Sequence, residues 1–205
     1  MNIFNKYSQL MKIAEWVTRL AYVNLLWLVF TVFGLLVLGL MPATAAMFAI
    51  HRQWYRGEED FKVFSSFLSH YKAFFWEANG IGLCLLIAGG FIYTDIRLLS
   101  TVTNWLTISL LIVLLVVSYM FMGVLIHIFT VFVHFKIRFI DYFKYSFYFS
   151  VFQPIKTFFL GVGITLLVLL IMTFPPLILV GSGSLISFFL IWSSLTGYSK
   201  LLINT

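Results

Sequence analysis

Long uncharged stretches alternate with short polar ones along the whole chain. The first, Leu20 to Leu40, is long enough to cross a hydrocarbon core of ~30 Å as a helix. Gly39 and Pro42 follow, the order in which one helix stops and the next restarts. A second, short helix is therefore expected over 42–55, apolar at first and ending in His51, Arg52 and Arg56. Further spans are expected over 74–96, 105–135, 155–174 and 177–198. The third carries Gly80, Gly82, Gly89 and Gly90, small residues that let helices approach closely in lipid. The fourth is longer than a bilayer requires and must tilt, bend or protrude. Pro175-Pro176 marks a sharp turn before the last.

The polar stretches have their own pattern. Over 1–19, Phe4, Tyr7, Leu10, Met11, Ala14 and Val17 recur at helical spacing while Lys6, Lys12 and Glu15 fall elsewhere, which predicts an amphipathic helix in the headgroup plane. Gly57-Glu58-Glu59-Asp60 reads as a solvated turn, with Asp60 placed to cap the next helix. Beyond it Phe61, Phe64, Phe67, Leu68, Tyr71 and Phe75 form a stripe, and Phe139, Phe143, Phe147 and 149–152 form another. Phe61, Phe64 and Leu68 are echoed by Tyr145, Tyr148 and Phe152, and Lys72-x-Phe-Phe by Lys156-x-Phe-Phe, a weak internal parallel repeat.

Composition confirms the class. Of 205 residues, 62% are hydrophobic and 10% charged, against about 25% charged in soluble domains. The mean hydropathy is +1.04. The expected fold is an all-α integral membrane protein of about six transmembrane helices, the second one short, with amphipathic helices on the cytoplasmic surface, in one transmembrane domain over 1–205. Leu20–Leu40 is longer than the apolar part of a signal peptide and is expected to be a retained span. The net charge is +6, which membrane topology and anionic headgroups explain before nucleic acid does. With six crossings, every basic residue except Arg97 falls on the cytoplasmic side, both termini included. Were 42–55 not to recross, the N-terminal segment and the loop near residue 60, both basic, would lie on opposite faces. At 1.5 Å per residue, 42–55 reaches only about 21 Å, so it needs protein neighbours.

Candidate chemistry is sparse. Ionisable or amide side chains at membrane depth are functional candidates by default. Here they are Asn24, Glu77, Asn79, Asn104 and His127. Glu77 lies where it could pair with Lys72 or Arg52, and His127 could be a hydrogen-bonded packing residue. His51 and His134 are expected at inner helix ends. Cys84, the single cysteine, reads as a small buried hydrophobe. No metal-ligand spacing, phosphate-cradling loop or nucleophile elbow occurs, so no cofactor, no metal site and no enzymatic activity are expected.

The run Leu38-Gly-Leu-Met-Pro-Ala-Thr-Ala-Ala-Met-Phe-Ala-Ile, then Trp54-Tyr-Arg-Gly-Glu-Glu-Asp, then Phe67 to Asn79, resembles the YesL family of small bacterial membrane proteins. The resemblance covers most of the chain and is sharpest over 39–79. It supplies no catalytic residues. It implies a bacterial cell membrane and a genetic neighbourhood of carbohydrate ABC importers and polysaccharide-utilisation enzymes. The expected role is a non-enzymatic accessory or regulatory subunit of a carbohydrate importer, with Trp54, Arg56, Phe61, Phe64 and Phe67 as the segment for docking a membrane-protein partner. The alternative is a small independent transporter or channel whose path is lined by Asn24, Asn79 and His127. That reading fails if these residues share no cavity.

Overall fold

The structure, a computed structural model, describes residues 3–101 and 104–202, with side chains described over 9–194 apart from 102–103 and 179–180. Expectations resting on the side chains of Phe4, Lys6, Tyr7 and Lys200 lie outside the described residues. Among the described residues there are seven helices and no strand: α1 (Ile3–Phe33), α2 (Val37–Tyr55), α3 (Val63–Leu99), α4 (Trp105–His134), α5 (Phe139–Phe152), α6 (Pro154–Thr173) and α7 (Leu177–Leu202).

The first hairpin closes earlier than expected. The turn lies at Gly34-Leu35-Leu36, with Leu35 at φ 59° and Leu36 at φ 61°, and the Leu36 N–H closes on the Thr31 carbonyl at 2.9 Å. A Cβ on Gly34 would strike the Gly39 backbone and the Tyr71 hydroxyl, and one on Gly39 would strike the Phe30 and Thr31 carbonyls. Glycine is needed at both positions for close approach, not for a helix stop. Pro42 lies inside α2. The two arms return to one face, because Arg19 of α1 donates to Glu59, beyond the end of α2, at 2.7 Å.

The short second helix is the hub of the bundle. Ala43, Ala45, Ala46, Met47, Phe48, Ala49, Ile50, His51 and Trp54 are all buried. Its alanines let α1, α3, α4 and α7 close around it. One apolar cluster joins Val23 and Leu26 of α1 to Ala46, Met47, Ile50 and Trp54 of α2 and Phe67 of α3. The other joins the opposite side of α2 to Ala78 and Ile81 of α3, Ile128 and Val131 of α4, and Leu190 and Ile191 of α7.

Segments expected as separate surface and spanning pieces are fused. Residues 9–19 continue into α1 without a break, and α3 runs unbroken for 37 residues. No side chain caps α3, so Asp60 does not do so. The second copy of the echo is split instead, at Gln153, where Pro154 starts α6. Proline has no N–H to continue the α5 ladder. The α4 helix starts where Asn104 accepts from the Thr107 N–H at 2.8 Å, so that asparagine is a cap. Cys84 is exposed on the apolar outer face of α3 rather than buried.

Among the described residues, four helices are long and apolar enough to cross a membrane: Gln9–Phe33 of α1, α3, α4 and α6. Their outer faces are continuous hydrocarbon. On α4 alone Leu106, Ile108, Leu110, Ile112, Val113, Leu115 and Val116 are exposed. An apolar surface of that extent belongs against lipid tails rather than water.

Candidate functional site

Polar side chains gather in three places inside the bundle. The first lies between α1, α2 and α7. Asn24, fully buried, donates to the Ile178 carbonyl at 3.0 Å and accepts from the Gly183 and Ser184 N–H groups at 3.0 and 3.2 Å. Its amide thus clamps α1 to the backbone of α7. Beside it His51, with no exposed surface, bonds Ser184 through Nε2 at 3.2 Å and Ser187 through Nδ1 at 2.8 Å. The Ser187 hydroxyl donates to the Ser184 carbonyl at 3.1 Å, so its lone pair accepts from Nδ1–H and Nε2 accepts from Ser184. His51 is therefore a core residue and not an interfacial one. The sequence signal for it is the 181–184 Gly-Ser run, whose small residues admit a polar neighbour to the helix backbone.

The second place is the α2–α3 contact. Pro42 deprives the Leu38 carbonyl of its intrahelical donor. Asn79 supplies it, with Nδ2 at 3.0 Å from Leu38 O and 2.8 Å from Phe75 O. The third is between α4 and α6, where His127 Nε2 lies 3.1 Å from the Thr157 hydroxyl in a buried contact. Asn24, Asn79 and His127 are thus parted among three helix–helix contacts.

A cleft of about 540 Å³ opens where α2 and α4 end beside α3 and α5. Arg52, Gln53 and Arg56 line it from α2 and the residue after it, Glu58 from the following turn, His70, Phe74 and Glu77 from α3, Lys136 from the α4–α5 link and Tyr142 from α5. Arg52 reaches His134 only at long range, 3.4 Å to Nδ1 and 3.5 Å to the carbonyl. Among the described residues neither Arg52, Arg56, Lys136 nor Glu77 forms an ion pair, so Glu77 shares a cleft with Arg52 without pairing to it or to Lys72. Burial pushes the Tyr142 phenol up from its ordinary value, and the Glu77 carboxylate adds to the effect. Among the described residues no group of three or more His, Cys, Asp or Glu side chains is placed to hold a metal.

The expected docking segment divides. Trp54 and Phe67 are core residues, at 4% and 0% exposure, because helical periodicity turns them toward α1. Arg56 and Phe64 face outward and Phe61 is half-buried. Aromatic surface is richer on α5, where Tyr145, Phe147, Tyr148 and Phe152 are exposed.

These elements define an all-helical protein whose apolar helices are built for contact with lipid. Residues 20–96 match the model of a protein family described as "Protein of unknown function, DUF624". The chain is 34% identical over 85% of its length to YesL of Bacillus subtilis (strain 168), covering 82% of that protein. It is 37% identical over 70% of its length to YteU, covering 64% of it, and 31% identical over 91% to YesV, covering 89%, both from the same organism. All three are described as uncharacterized. The chain belongs to the YesL-like family. No solved structure matches it.

Proposed function

We propose that the protein is a non-enzymatic accessory subunit of the bacterial cell membrane that docks on a carbohydrate ABC importer. It crosses the membrane six times, with both termini and the Arg52 cleft on the cytoplasmic side. The observation that carries this reading is the fate of the polar residues. Asn24 is spent on the α7 backbone, Asn79 on the Leu38 carbonyl and His127 on Thr157. A transporter or channel needs such groups to converge on one path. Here they hold helices together at separate contacts, which favours a scaffold over a conduit.

What such a scaffold offers a partner is its aromatic rim. Tyr148 and Phe152 stack with centroids 3.9 Å apart on the exposed side of α5, and Phe64 adds the start of α3. Exposed aromatics are the residues that interfaces favour. The importer is named from the genetic neighbourhood that the family resemblance implies. Tagged protein purified gently from native membranes is expected to bring down the permease subunits of a sugar importer, and its deletion to lower uptake of that sugar. Recovery of the tagged chain alone, with uptake unchanged in the deletion strain, rejects the reading.

A further inference from the structure

We propose that the cleft between the ends of α2 and α4 is a phosphate-binding site, taking the phosphate of an anionic lipid headgroup or of a free phosphate ester. Arg52 is the centre of the argument. It is half-buried, and its two contacts with His134 are at the outer limit of hydrogen bonding. A guanidinium carries five N–H donors in a planar fork that matches phosphate oxygens. Most of that fork is unused. Glu58 acts on Arg52 only at a distance, with no ion pair between them, and a cation partly withdrawn from water with so little counter-charge favours an added anion.

The surroundings agree. Arg56 and Lys136 line the same cleft, and among the described residues neither they nor Arg52 pairs with a carboxylate. Glu58 and Glu77 stand in the wall too, leaving three fixed cations against two carboxylates. The excess favours an anionic guest over a cationic one. A volume of about 540 Å³ is that of a small-molecule pocket rather than of a protein interface. The opening lies at the end of α4, a helix long and apolar enough to span, and on the topology proposed above that end stands at the depth of lipid phosphates.

A competing reading gives the cations to the helices themselves. Arg52 and His134 lie in the last turns of α2 and α4, whose C-terminal carbonyls favour positive charge. That reading predicts no ligand, and the experiment separates the two. Protein purified in a nonionic detergent is titrated, with thermal stability as readout, with inorganic phosphate against chloride at equal ionic strength. A parallel titration uses dioleoylphosphatidylglycerol against dioleoylphosphatidylcholine.

A saturable rise in melting temperature with either phosphate source supports the site. A rise with phosphatidylglycerol alone assigns a lipid headgroup, and a rise with inorganic phosphate assigns a free ester. Arg52→Gln and Lys136→Gln are expected to weaken the apparent affinity about tenfold or more, while Arg138→Gln, exposed and outside the cleft, leaves it unchanged. Lys136 is exposed, so Lys136→Gln decides between the readings if Arg52→Gln does not fold. No saturable rise with either source, a rise only with an acidic peptide, or an equal loss in Arg138→Gln overturns the proposal. None of these readouts involves an importer, so the site stands or falls apart from the accessory-subunit reading.

Discussion

Pro42 and Asn79 act as one device, although 36 other residues separate them in the chain. A proline inside α2 leaves the Leu38 carbonyl without its intrahelical donor. Asn79 reaches across from α3 and closes that bond at 3.0 Å. The pairing makes a quantitative prediction. Asn79→Leu should cost about 1 kcal/mol, the scale of interhelical hydrogen bonds in membranes. In a Pro42→Ala background the alanine N–H restores the ladder, and the same substitution should cost much less. A double-mutant cycle on unfolding in detergent reads the difference. Equal costs in both backgrounds would falsify the device. Neither residue alone reveals it in the sequence. Pro42 has the look of a helix start, and Asn79 that of a residue on a substrate path. His51 misleads for a related reason. Its neighbour Arg52 suggests the interface, yet adjacent residues on a helix point about 100° apart. One faces Ser184 and Ser187, the other the cleft.

At the scale of elements, the order of helical segments is legible in the sequence, whereas their number and joins are not. Apolar runs report where lipid begins, whereas a helix ends only where the backbone must leave its ladder. Arg19 and Lys72 mark the edge of the apolar runs but do not interrupt α1 or α3. Pro154 does interrupt α5 and α6. The α1–α2 turn is invisible because it is made by two leucines at positive φ, a conformation for which leucine gives no signal. Closeness between α4 and α5 is hidden too. Gly123 faces Ser150 so tightly that an added Cβ would overlap the serine side chain. Gly123→Ala is therefore expected to destabilise the protein by about 1–3 kcal/mol through overpacking. Ser150→Gly in the same chain should return part of that loss. The Ser150 hydroxyl is buried with no hydrogen-bond partner among the described residues, so removing it forfeits no bond seen there. The melting temperatures of the two single variants and the double variant in detergent check this. A harmless Gly123→Ala, or no recovery in the double, would show that α4 and α5 are spaced more widely.

For the whole molecule the question is whether the α1–α2 hairpin crosses the bilayer and returns. The ion pair from Arg19 to Glu59 and the contact of Arg52 with His134 put the start of the first apolar run and the ends of α2 and α4 on one face. If the hairpin crosses, the basic residues with described side chains, Arg97 excepted, are expected on that face, the pattern that cations in cytoplasmic loops follow. Length allows it. The 19 residues of α2 reach about 28 Å, close to a core of ~30 Å. The 37 residues of α3 reach about 55 Å, so its ends must project or tilt. The α1–α2 turn lies beside Tyr71 and Asn79, about 30 Å short of Leu99 along α3, so α3 must tilt strongly if the turn is to reach the outer headgroups while its exposed apolar face stays in lipid. Single cysteines at Leu35, Gly57 and Thr101, in a Cys84→Ser background, test the arrangement in intact cells with a membrane-impermeant maleimide. Leu35 and Thr101 should label from outside, and Gly57 only after the membrane is opened. If Leu35 and Gly57 label from the same side, α2 does not recross, and the Arg52 cleft loses its place among cytoplasmic headgroups even though its residues remain together.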